Sequence, residues 1–273
     1  MKKIYPISLV FIFCCTLVCF QISAQTAEQY IKSGTEKLDK NQYSEALADL
    51  DKAIELKPNA PEIYHLRGRA KTNLRFYSGA LTDFDKAIEL APTKIEYYQA
   101  RAVVKNISNR KEDALPDYTK IIELNPQDAE SYRSRAEAYT DLQRYRDALV
   151  DYNKLLTLAP KDEQGYFSRS SLNFLLKNYQ GAINDCSKII ELNPNNADAY
   201  ANRGTFQYVV KLFEPALADF DKAITLNEKD GEAYYTRGLV KKELKKTDFC
   251  EDWKKALELG YTKVEAMLKE QCK

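Results

Sequence analysis

The sequence predicts an all-α chain built as a stack of helical hairpins, and three periodicities carry that reading. A tyrosine followed three residues later by an arginine returns every 34 residues, at Tyr64/Arg67, Tyr98/Arg101, Tyr132/Arg135, Tyr166/Arg169, Tyr200/Arg203 and Tyr234/Arg237. Prolines keep the same interval at Pro58, Pro92, Pro126, Pro160 and Pro194, and alanines keep it at Ala46, Ala80, Ala114, Ala148, Ala182 and Ala216. A fixed interval of this length marks one supersecondary unit copied along the chain. No copy buries its apolar stripe alone, so each is stacked on the next.

The first 24 residues differ in kind. Lys2 and Lys3 precede an apolar run from Ile4 to Phe20, and Ile22-Ser23-Ala24 places small residues ahead of Gln25. Basic start, apolar middle and small end describe a secretory signal peptide over 1–24, with the mature chain starting at Gln25. The run is short for a membrane span, which takes about 20 residues. Two alternatives stay open: an uncleaved anchor, and a lipoprotein using Cys14, Cys15 or Cys19, although the bulky Val18 does not suit a lipobox.

Six full hairpins follow, at 27–60, 61–94, 95–128, 129–162, 163–196 and 197–230, with a seventh, one residue short, at 231–261. Pro61 to Thr93 is the cleanest copy. Its second half places Ala80, Phe84, Ala87, Ile88 and Leu90 on one helical stripe, and its first half does the same with Tyr64, Gly68 and Leu74. Asn73 to Tyr77 is the break between them, and Pro92 ends the second helix because the residue before a proline is pushed out of the helical region. The third copy is the least regular: Lys111 stands where Tyr43, Tyr77, Tyr145 and Tyr179 stand elsewhere, and Pro116 falls beyond the first turn, so a bend is expected near Lys111–Pro116. Pro215 falls within a first turn and is harmless.

After Gly260, Thr262-Lys263-Val264-Glu265 reads as a capping box opening a last short helix over 262–273 that closes the stack. The seventh copy's second helix is expected from about Asp248 to Leu259. Cys250 and Cys272 lie almost equidistant from the turn at Gly260-Tyr261, so two helices folding back there bring them together as a disulfide in an oxidising compartment. Cys186, where other copies carry an aromatic, reads as a buried and inert core residue.

These positions resemble the tetratricopeptide repeat (TPR) family, whose pattern runs aromatic, leucine-glycine, tyrosine, Ala-x3-Phe, Ala and Pro. The repeated tyrosine supplies the aromatic. Gly34, Gly68, Gly204 and Gly238 supply the glycine, replaced by Ala102, Ala136 and Ser170. Leu50, Phe84, Tyr118, Tyr152, Cys186 and Phe220 follow the alanine. The resemblance covers nearly all of the chain after residue 26. It implies a right-handed superhelical solenoid with a C-terminal capping helix, and a concave groove lined from repeat positions two, five, nine, twelve and thirteen. In the second repeat these are Glu62, His65, Arg69, Thr72 and Asn73. In the fifth they are Gln164, Phe167, Ser171, Phe174 and Leu175, and in the sixth Asp198, Ala201, Thr205, Tyr208 and Val209. Phe167, Phe174, Leu175, Tyr208 and Val209 then form an apolar partner-binding patch, against the alternative that they pack inward. The Lys/Asn/Arg clamp by which some family members hold chaperone C-termini is absent.

The chain departs from the family in one systematic way. Arg67, Arg101, Arg135, Arg169, Arg203 and Arg237 stand where leucine is usual, and Asp49, Asp83, Asp117, Asp151, Asp185 and Asp219 keep the same interval in the second helices. This suggests a ladder of paired charges. Since the first repeat has Ser33 in place of arginine and nothing before it, each arginine is expected to reach back to the aspartate of the preceding repeat. Setting register is its safer role, because desolvation offsets attraction.

Forty-one basic and 40 acidic residues leave a net charge of +1, which gives no electrostatic footprint for nucleic acid. His65 is the sole histidine, so a zinc site, a histidine-dependent catalytic set and a cofactor are not expected, and nor is enzyme activity. The sequence therefore predicts an exported, non-enzymatic scaffold, periplasmic or at a bacterial surface, that binds a protein or peptide ligand in its groove. The alternative is a structural subunit of a cell-envelope or secretion assembly.

Overall fold

The computed structural model describes residues 26–272; the expected leader, 1–24, lies outside them. Every regular element among the described residues is helical. In chain order these are α1 (26–39), α2 (Tyr43–Leu56), α3 (Pro61–Asn73), α4 (Tyr77–Leu90), α5 (Ile95–Ile107), α6 (Lys111–Leu124), α7 (Ala129–Asp141), α8 (Tyr145–Leu158), α9 (Glu163–Leu175), α10 (Tyr179–Leu192), α11 (Ala197–Val209), α12 (Phe213–Leu226), α13 (Gly231–Glu243), α14 (Phe249–Glu258) and α15 (Glu265–Gln271), with a 3-10 turn at Thr262–Val264. The described residues form two compact units, one ending at Ser131 and the other starting at Tyr132. Within each, a helix packs on its hairpin partner and then on the first helix of the next hairpin, the solenoid-like arrangement the periodicity calls for.

The 34-residue clock has a local physical cause. Tyr64, Tyr98 and Tyr166 donate hydroxyl hydrogen bonds to the carbonyls of Pro58, Pro92 and Pro160, at 2.9, 3.0 and 3.4 Å. Arginine three residues on shares the same helix face, and Arg67, Arg101, Arg169, Arg203 and Arg237 lie over their tyrosine rings at 5.3–5.7 Å. Tyrosine, proline and arginine thus recur together because they touch.

The turn inside each hairpin holds a feature the sequence did not announce. Asn41, Arg75, Asn109, Gln143, Lys177, Lys211 and Lys245 all have φ between 57 and 62°, in the left-handed region where glycine is usual. The next residue closes the turn: Phe76 N–H donates to Lys71 O at 2.8 Å and Leu212 N–H to Gln207 O at 2.9 Å, a bond repeated in every hairpin. Mostly long polar residues occupy these sites, so no glycine marks them.

Close packing explains the glycines at position eight. A Cβ on Gly68 would lie 2.6 Å from the Phe84 ring, and one on Gly238 would lie 2.4 Å from Trp253. Both aromatics are fully buried, a gain of about 1.5–3 kcal/mol each. Where position eight is Ala102 or Ala136, the facing residue is Tyr118 or Tyr152; where it is Ser170, the facing residue is the small Cys186.

Two local expectations meet the structure here. The helix α6 is continuous through Pro116, which has no N–H to give to the carbonyl four residues before it, and the irregularity expected there does not break the helix. Thr262–Glu265 does not form a capping box: these residues make the 3-10 turn, no side chain caps it, and Gly260 (φ 89°) turns the chain into it. The 3-10 turn and α15 nevertheless close on α14, Val264 joining Trp253 and Ala256 with Met267 and Leu268 packed against them, and Cys250 and Cys272 lie with Cα atoms 5.7 Å apart, their sulfurs bonded.

Candidate partner-binding groove

The arginine–aspartate ladder is present in a different register from the one expected. Each arginine forks onto the aspartate of its own repeat: Arg67 Nε and Nη2 bond Asp83 at 3.0 and 2.6 Å, and the pairs Arg101–Asp117, Arg135–Asp151, Arg169–Asp185, Arg203–Asp219 and Arg237–Asp252 follow. The reach back lands two residues beyond the expected aspartate, on Asp51 from Arg67 (2.7 Å), Asp85 from Arg101 (2.6 Å), Asn153 from Arg169 (2.8 Å), Ser187 from Arg203 (3.0 Å) and Asp221 from Arg237 (2.8 Å). The facing helix of the same hairpin is nearer than the preceding repeat, so it takes the bidentate bond. Asp49, having no arginine in its repeat, accepts from Ser33 and Lys37, each at 2.6 Å.

Position eleven is a second ladder donor that the sequence reading missed. Lys71 bonds Asp83 at 2.8 Å, Lys105 bonds Asp117 at 2.7 Å and Lys241 bonds Asp252 at 3.0 Å, while Asn173 serves Asp185 at 3.0 Å. Lysine at 37, 71, 105 and 241 keeps the same clock, and that was the available signal. Burial works against the charge of Arg67, but its bonds to Asp83 and Asp51 outweigh it and hold its pKa above the ordinary value. These side chains fasten each hairpin and tie it to the one before.

The first-helix face forms an open groove of about 580 Å³ in the second unit, across α9, α11 and α13. Gln164, Asp198 and Glu232 come from position two, Phe167 and Ala201 from position five, and Thr205 from position nine; Asn202, Thr236 and the helix-start residue Asp230 complete the rim. Positions two, six and nine lie on one helical stripe, which would have pointed to Asn202 and Thr236. The starts of these helices are fixed by side-chain caps: Asp162 accepts from Gly165 N–H, Asn196 from Ala199 N–H, and Asp230 from Glu232 and Ala233 N–H.

The five-residue apolar patch is not assembled. Of its members only Phe167 lines this groove, half-buried against Leu156, Tyr166 and Ile189. Phe174 turns inward, stacking on Phe206 at 4.9 Å and meeting Tyr179 at 5.5 Å beside Cys186. Tyr208 packs on Phe213 at 5.9 Å. Position twelve faces the aromatic that opens the second helix of its own hairpin, and this pulls both rings away from solvent. Leu175 and Val209, 57% and 40% exposed, sit at the last residues of α9 and α11. Cys186 is buried and free, its thiol pushed up to about 12 by burial.

A smaller groove of about 280 Å³ in the first unit is lined by His65, Arg69, Thr72, Asn73, Ala100 and Val103, over Phe84. Burial first, and Arg69 second, lower the His65 pKa to about 4, so the ring is neutral near pH 7, and its buried Nδ1 has no hydrogen-bond partner. The ring sits 5.0 Å from Tyr97 and 5.7 Å from Phe84, which gives it a packing role. Among the described residues no group of three or more His, Cys, Asp or Glu side chains could hold a metal, and no helix is long and apolar enough to cross a membrane.

Comparison with known proteins agrees with this architecture. A TPR repeat model matches residues 34–73, and tetratricopeptide repeat models match 108–163 and 163–196. Among solved structures, a tetratricopeptide repeat protein from Parabacteroides merdae is 25% identical with a TM-score of 0.57, the match covering 90% of this chain and 97% of that one. The C-terminal part of a TPR repeat-containing protein from Cytophaga hutchinsonii is 18% identical with a TM-score of 0.72, the match covering 85% of this chain and 96% of that one. YrrB, a TPR protein with an unusual peptide-binding site, is 20% identical with a TM-score of 0.59, covering 69% of this chain and 97% of its own. A search of curated proteins finds no match.

Proposed function

We propose that this chain of tetratricopeptide repeats is an exported, non-enzymatic scaffold that captures a peptide or partner domain in the groove of its second unit. The observation that carries the reading is the groove itself: a concave face of three successive first helices, with a half-buried aromatic and a polar rim. The charge ladder and the position-eight contacts lie on the hairpin interfaces and hold that face rigid, which lowers the ordering cost of binding. The basic and apolar character of residues 1–24 supports export to a periplasm or bacterial surface, where a Cys250–Cys272 bond persists. The peptide-binding site of YrrB is a parallel within the same fold.

The test is crosslinking and pull-down from the native envelope fraction with Thr236→Arg, which fills the groove from an exposed helix face and removes no core atom. Capture is expected to fall at least tenfold; undiminished capture by a folded variant refutes the groove. Size-exclusion chromatography addresses the alternative: a monomer fits ligand capture, whereas a defined oligomer fits a structural subunit of an envelope assembly.

A further inference from the structure

The groove over α9, α11 and α13 has a property that docking alone does not require, which is the sign of its charge. Asp198, Asp230 and Glu232 stand on its rim, and no lysine, arginine or histidine is among the residues that line it. Two acids at comparable places elsewhere meet cations: Lys57 bonds Glu28 at 2.7 Å, and Arg133 bonds Asp162. Acids on a convex helix face would amount to a solvated surface. These three border a concave space of about 580 Å³ with Phe167 in its wall, and Gln164 and Asn202 add amide oxygens. A cleft lined by one sign of charge with low-dielectric walls focuses its field on whatever enters.

We infer that the occupant is a basic peptide segment, a reading that rests on the docking role proposed above and names its partner chemistry. A lysine or arginine stem lies along Phe167 while its charged head meets the carboxylates of Asp198 and Glu232 on consecutive first helices. Long cationic side chains are suited to this, since they cover apolar surface and keep the charge in a polar rim. Charge of this kind sets specificity and on-rate, and salt screens it. An acidic segment is repelled by the same rim.

The experiment is fluorescence anisotropy of two labelled short peptides, one alternating lysine with leucine and the other glutamate with leucine, titrated with the purified protein. The lysine peptide is expected to bind, to weaken with added salt, and to lose at least tenfold in affinity to D198N/E232Q; the glutamate peptide is expected not to bind. The position-two control E62Q/E96Q, in the other unit, should bind like wild type. Equal binding of the lysine peptide by D198N/E232Q, or preference for the glutamate peptide, overturns the inference. So does a wild-type dimer that dissociates in D198N/E232Q, which would make a second copy the occupant. The two readings separate cleanly: if T236R abolishes native capture while D198N/E232Q leaves it intact, the groove stands and the basic occupant falls. If T236R also leaves capture intact, both fall.

Discussion

The first-helix faces of the two units are built from the same repeat positions and end up different. In the first unit, α3 and α5 present His65, Arg69 and an exposed Val103 and begin at Ala60 and Lys94 without side-chain caps. In the second, α9, α11 and α13 present Asp198, Glu232 and Phe167 and begin at capping Asp162, Asn196 and Asp230. The hairpin interfaces behind them vary from repeat to repeat: Asp83 and Asp117 in the first unit and Asp252 in the second each hold an arginine and a lysine, whereas Asp185 in the second holds an arginine and the neutral Asn173. The lesson is that the repeat scaffold constrains which positions meet, and the side chain at each position then sets what that meeting does.

The sharpest way to break the comparison is to remove a ladder carboxylate from each unit. Asp83, 2% exposed, answers two cations, so Asp83→Ala is expected to destabilise the first unit by about 3–5 kcal/mol. Asp185→Ala strands a single charge and is expected to cost about 2–3 kcal/mol, nearer the loss of one charged hydrogen-bonded pair. Urea denaturation of the two variants checks the order; equal losses would mean the lysine contributes nothing.

A second difference concerns pH. The only histidine is in the first unit, and its pKa falls from 6.5 to about 4 on folding. Between those values the unfolded chain holds a proton that the folded one refuses, so stability drops as pH falls from 6.5 towards 4 and recovers as it rises. With the ring partly solvated the effect is at most about 2 kcal/mol. His65→Gln should flatten this part of the stability-versus-pH curve; an unchanged slope would assign the acid sensitivity elsewhere.

The smallest contrast is steric. A Cβ on Gly68 meets Phe84 at 2.6 Å, while one on Gly204 meets Phe220 at 3.0 Å. Gly68→Ala is expected to cost about 1 kcal/mol net, because overpacking exceeds the helix-propensity gain. Gly204→Ala should be close to neutral, and thermal melts compare the two.

Much of the fold was legible because its signals are local. Tyr64, Arg67 and Pro58 recur together since a hydroxyl reaches a carbonyl six residues away and a guanidinium reaches a ring three residues away, contacts that need little more than one helix and its approach. The partner of Arg67 was not legible in the same way. Asp49, Asp51 and Asp83 are all on the clock or beside it, and which one is bonded depends on how the hairpin closes. The same holds for Phe174 and Tyr208: their repeat position placed them on the groove, but the aromatic rings of Tyr179 and Phe213 across the hairpin turned them inward. The left-handed turns at Arg75 and Lys211 carried no glycine to mark them and are imposed by closure of the hairpin.

Sequence alone determined the all-helical hairpins, their length and the identity of the packed positions, because periodic burial on a helix is written in residue order. Tertiary structure decided which charges pair, which aromatics reach the surface and where a concave acidic face opens. Those outcomes depend on distances between helices that lie far apart along the chain.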